Sequence, residues 1–154
     1  MNNEYYGVKI LHAKEVAKSL AMLLSVSMRE ADKEELAAQG LTPFQGVYES
    51  INTSTEAHYA AYGSKILCAF GIAHTKEGVS VWMLASEEVN HHRRALAKCG
   101  MDFIQDKLKE YHELFNYISK GNPKALLYIK HAGATFSDPV TLNGVEFVKF
   151  TIKE

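Results

Sequence analysis

The chain has 154 residues, a formal net charge of −1 at pH 7, and 47% hydrophobic residues. This length supplies a sizeable core for one domain over 1–154, and the near-neutral balance offers no general attraction to nucleic acid or an anionic membrane. No apolar run reaches the roughly 18 residues of a membrane span, and the start MNNEYYGVKI lacks the basic and long apolar regions of a secretion signal. A soluble, non-secreted protein is therefore expected. Cys68 and Cys99 match no zinc or redox spacing and lie among apolar neighbours, as small core residues of a reducing compartment do.

In chain order, YGVKILHA (6–13) is compatible with a strand. It feeds a helix in AKEVAKSLAMLLSVSM, where Val16, Leu20, Leu23 and Leu24 recur at helical spacing. READKEELAAQG continues helical to Gly40, a terminator. LTPFQGVYESI then restarts the pattern, with Thr42 as cap, Pro43 at the first helical position and Gln45 completing a capping box. Phe44, Val47, Tyr48 and Ile51 make up its apolar stripe. EAHYAAY, KILCAFGIAH and VSVWMLA are rich in β-formers and are separated by the turn signals Gly63-Ser64 and Glu77-Gly78, which predicts three antiparallel strands.

A long helix is expected next in SEEVNHHRRALAKCGMDFIQDKLKEYHEL, with Leu96, Phe103, Ile104, Leu108 and Tyr111 drifting along one side. NYISKGNPKALLYIKHAGATF reads as a strand, a turn at Gly121-Asn122-Pro123, a helix ended by Gly133, and another strand. In NGVEFVKFTI, Asn143-Gly144 signals a hairpin, and Val148, Phe150 and Ile152 alternate toward the core. Strand, helix and strand in one sheet require a crossover, so the sheet must be mixed, with helices on its faces. The Trp82 strand is expected near its centre and parallel to LFNYIS.

These elements resemble the GNAT fold, that of the GCN5-related N-acetyltransferases, an α/β (α+β) twisted sheet in the order β-α-α-β-β-β-α-β-α-β-β. In NPKALLYIKHAGATF, Asn122, Ala125 and Gly133 fall on a segment typical of that fold. MREADKEELAAQGLTP, CAFGIA, VSVWMLASEEVNHHRRAL and LFNYISKGNPKALLYIKHAGATF further resemble a GNAT-like family of short-tailed bacteriophages, whose members are often described as internal virion or core proteins. The resemblance implies that two strands splay apart just before Asn122, and that acetyl-CoA would bind in the opening. It implies cofactor contacts from Met83, Leu84 and Ala85 on the strand and from Asn122; Arg93 and Arg94 on the following helix are either phosphate forks in place of the family's loop or part of a solvated basic segment. It also suggests Tyr128 as the proton donor to the departing thiolate.

The sequence departs from that enzyme pattern in two places. MLASEEVNHHRRAL contains no glycine where a pyrophosphate loop is expected, and Glu87 and Glu88 would repel a pyrophosphate by roughly 1 to 3 kcal/mol per pair at about 6 Å. The family's tyrosine position falls on Ile129, with Tyr128 one residue, or about 100° around the helix, away. Adjacent His91 and His92 point apart on a helix, so no metal site follows. His58 and His74 lie near the presumed cleft without an assigned role. Two functions remain open. One is a phage virion-associated or assembly protein with a degenerate acetyl-CoA site, acting with other virion proteins or a host protein in the virion or the host cytoplasm. The other is an active N-acetyltransferase acting on a protein or small-molecule amine. Nucleic acid is not an expected partner, because no basic face with interleaved aromatics appears.

Overall fold

A computed structural model describes residues 1–154. Its centre is a nine-stranded sheet in the order β1-β2-β3-β4-β5-β6-β9-β7, with β8 also paired to β9. The strands are β1 (Glu4–Tyr5), β2 (Val8–His12), β3 (Glu56–Tyr62), β4 (Lys65–Thr75), β5 (Gly78–Ala85), β6 (Glu113–Ser119), β7 (Thr135–Phe136), β8 (Val140–Leu142) and β9 (Val145–Lys153). All neighbours are antiparallel except β5 and β6, which are parallel. The mixed sheet expected from the element order is present, with the Trp82 strand β5 beside the LFNYIS strand β6.

Two cores fill the faces. On one, α1 (Ala17–Ser27), α2 (Glu30–Ala38) and α3 (Pro43–Thr53) bury Leu20, Leu24, Leu36, Val47 and Ile51 against Ala57, Ala69 and Leu84. On the other, α4 (Arg93–Tyr111) buries Phe103, Ile104 and Leu108 against Phe70, Ile72, Leu114 and Ile152. The helix α5 (Pro123–His131) packs at the edge of this second core through Ala125, Leu126, Tyr128 and Ile129. Val148, Phe150 and Ile152 alternate inward on β9 as their period predicts. Asn143 and Gly144 both adopt the positive φ that a tight hairpin turn demands, +48° and +81°. The Thr42–Gln45 capping box is also formed.

Three local expectations are corrected. The first helix begins as a 3-10 turn (Lys14–Val16), and its buried stripe is Ala17, Leu20, Ala21 and Leu24, leaving Val16 and Leu23 exposed. On α3, Tyr48 stacks on Phe44 at the surface instead of entering the core. The long helix starts at Arg93, because Glu87–His91 form a separate 3-10 turn in which Ser86 caps the Glu88 amide. This places His91 and His92 ahead of α4.

Asn122 accepts from the Ala125 amide at the start of α5, with Pro123 in the first turn, where its missing N–H costs nothing. Replacing Asn122 by Ala should lower stability by about 0.5 to 2 kcal/mol. Chemical denaturation followed by far-UV circular dichroism would read this as a lower midpoint at unchanged slope.

Candidate functional site

The parallel pairing of β5 and β6 is short, because the ladder holds only the Ser80–Phe115 register pair. Immediately beyond it, the Asn116 side chain inserts between the strands. Its amide nitrogen donates to the Val81 carbonyl at 2.8 Å, and its oxygen accepts from the Tyr117 amide at 2.8 Å. A side-chain amide thus takes the place of main-chain partners, and from there the strands diverge toward their C-terminal ends.

Both strand ends are held by α2 and the residues before it. Arg29 donates its amide to the Ala85 carbonyl at 2.9 Å, and Met28 bridges Ser86. The Ala85 amide donates to Asp32 Oδ2 at 2.9 Å, and the Arg29 guanidinium forks onto the same carboxylate at 3.0 and 3.1 Å. Across the opening, the Ser119 amide donates to Glu35 Oε1 at 2.8 Å. Burial pushes the Asp32 carboxyl up, opposed by Arg29 and the Ala85 amide. Burial also pushes Glu35 up to about 7, opposed by the Ser119 amide and reinforced by Asp32. No buried side-chain nitrogen or oxygen lacks a hydrogen-bond partner.

The junction after β5 shows where the basic residues go. Arg94 lies over the Tyr6 ring at 4.5 Å, a cation–π contact, and His92 packs on Tyr62 with ring centres 4.6 Å apart. Arg93 is exposed. Glu88 pairs with Lys65 at 3.4 Å. These contacts turn the start of α4 toward the β1–β2 and β3–β4 turns.

Tyr128 on α5 donates its hydroxyl to the Ala97 carbonyl of α4 at 2.9 Å, and burial pushes that hydroxyl well up. Gly100 permits the approach, since a β-carbon there would collide with the Tyr128 oxygen. Its single proton is therefore already engaged on α4. Met83 is exposed, whereas Leu84 turns into the core beneath α1 and α3. His58 pairs with Glu56 at 2.7 Å, and Lys107 of α4 reaches the same carboxylate. His74 meets the Thr55 hydroxyl at 2.6 Å. No cluster of three or more His, Cys, Asp or Glu side chains is placed to hold a metal ion.

The structure brings Ala85 to the opening together with Asp32 and Glu35, which sequence reasoning did not single out. A faint signal existed: Asp32 stands four residues before buried Leu36, so a carboxylate occupies the inward stripe of α2. An acyl-CoA pantetheine chain pairing along this edge would have to displace Arg29 and Asp32 from Ala85. An open groove of about 320 Å³ lies between Gln39 at the end of α2 and Asn116, Tyr117, Val140, Leu142 and Phe147.

No family model matches the chain. Over 79 residues it is 30% identical to "Probable scaffold protein gp13" of Escherichia phage T7; the match covers 49% of this chain and 56% of that protein, so the chain spans about half the length of this curated relative. Its architecture is similar to that of a GNAT-family acetyltransferase from Bacillus anthracis (TM-score 0.66, 8% identity, 99% of this chain and 98% of that one). A Bacillus subtilis acetyltransferase in complex with CoA matches with TM-score 0.62 at 13% identity, over 96% of this chain and 99% of that one. A GNAT-family acetyltransferase from Elizabethkingia anophelis with acetyl-CoA bound also reaches 0.62, at 14% identity, over 97% and 99% of the two chains. At such identities the likeness concerns the fold alone: the chain has the fold of the GNAT acetyltransferases. No helix is long and apolar enough to cross a membrane.

Proposed function

We propose that this chain is a bacteriophage virion-associated or assembly protein that keeps the GNAT fold as a single domain without using its strand opening for acyl transfer. The observation that carries this reading is the internal use of the opening: both main-chain groups of Ala85, and the Ser119 amide facing it, are bonded to Arg29, Asp32 and Glu35. The placement of Arg94 on Tyr6 and of the Tyr128 proton on Ala97 adds support. The scaffold-protein relative in phage T7 supports the assembly role. Its partners are then other virion proteins or a host protein, met in the host cytoplasm or the particle.

The fold neighbours with CoA or acetyl-CoA bound make acetyl-CoA the ligand to test. Calorimetric titration to millimolar acetyl-CoA should give no binding heat. Micromolar affinity would overturn the degenerate-site reading in favour of an N-acetyltransferase. In that case, changing both Arg93 and Arg94 to Ala should weaken binding about 10-fold or more, since a charge-assisted bond contributes about 1.5 to 3 kcal/mol. For the assembly role, mass spectrometry should find the chain in purified particles or assembly intermediates of its phage, and absence from both would count against it.

A further inference from the structure

We infer that α2 is a pH-responsive latch across the divergent ends of β5 and β6, and that its Glu35 clip on the Ser119 amide releases as pH rises. The latch is geometric first. Asp32 holds the β5 end and Glu35 the β6 end, at adjacent turns of one short helix. A third tether, from the Asn143 side chain to the Ala38 carbonyl, fixes the far end of α2 to the β8–β9 turn. The apolar anchoring of α2 is light, with only Leu36 and Ala38 buried. Polar clips therefore supply much of what keeps this helix on the sheet, and a change in one clip is felt by the whole element.

The two clips differ in how their charge is met. Asp32 has the Arg29 guanidinium forked onto it. Glu35 faces the Ser119 amide, with Asp32 and Glu34 disfavouring its charge and Arg29, a stronger influence than Glu34, favouring it. Lys120, next to Ser119, is turned to Glu146 on β9 at 3.4 Å. With the latch closed, burial lifts Glu35 from 4.5 to about 7; with it open, the group regains its ordinary value in water. The closed state therefore binds the proton more tightly. Opening is suppressed at acid pH and favoured as pH rises through the range between those two values and up to about 7.

Native-state amide exchange followed by NMR tests this, after correction for the intrinsic pH dependence of exchange. The opening equilibrium at Ser119 should rise about tenfold or more between pH 5.5 and 8.5. In Glu35→Gln, which keeps an acceptor oxygen but cannot ionise, the rise should vanish. A Ser119 opening equilibrium that does not change with pH would overturn the latch, as would the same rise in the Gln variant. The measurement uses no cofactor, so its outcome is separable from that of the acetyl-CoA titration.

Discussion

Asp32→Ala should be among the most damaging single changes in the protein, lowering unfolding free energy by about 2 to 4 kcal/mol. The side chain is 3% exposed, and one of its oxygens accepts both the Ala85 amide and an Arg29 nitrogen. Truncation strands a buried N–H at the end of β5 and removes the partner of Arg29. The arginine side chain is 24% exposed, so it can turn to water, which keeps the loss below that of a fully enclosed pair. Asp32→Asn keeps an acceptor for Ala85 and removes a charge that burial already disfavours, so it should recover about half of the loss. Urea denaturation of both variants checks the order. An Ala variant within about 0.5 kcal/mol of the parent would mean that Ala85 finds another acceptor.

The fold was legible because its signals are local and repeated. Capping at Thr42 and Asn122, the turn at Asn143-Gly144, and the alternation of Val148, Phe150 and Ile152 each depend on near neighbours in the chain. Where a residue's environment is set from afar, the reading slipped. Leu23 has the spacing of a core residue, yet it lies on the outer side of α1 and is 56% exposed. The break between α1 and α2 at Met28-Arg29 has no proline or glycine to announce it; it exists because these residues pair with Ala85 and Ser86, far along the chain.

The strand opening was less legible for the same physical reason. Asp32 and Glu35 sit in READKEELAAQG, a stretch whose charges read as a solvated helix face. Their partners are main-chain amides, and every residue but proline has one, so composition cannot reveal the pairing. Arg94 looked available for phosphate because Tyr6, in a turn with φ of +49°, gave no hint that it would lie under the guanidinium. Tyr128 was visible as the nearest tyrosine to the expected position, but the small residue that lets it reach α4, Gly100, lies on another helix. The missing glycine loop after β5 was visible directly, and the Ser86-capped 3-10 turn now stands in that place.

Gly71→Ala should cost about 2 to 4 kcal/mol, although it adds a single methyl group. Gly71 lies in β4 opposite Trp82 of β5, where the indole crosses the strand and donates to the Ser54 hydroxyl at 2.7 Å, tying the end of α3 to the sheet. A β-carbon at Gly71 would overlap the Glu56 carbonyl oxygen and press on Ala57 Cα and Trp82 Cζ2, both 3.1 Å away. The indole can shift or be trimmed, but the carbonyl belongs to β3 and is fixed by its ladder with β4. Backbone overlap should therefore dominate. Combining Gly71→Ala with Trp82→Phe should relieve little of the loss, giving a coupling energy below about 0.5 kcal/mol in a double-mutant cycle. Recovery of most of the lost stability in the double variant would instead make the indole the constraint, with Gly71 serving only as its seat.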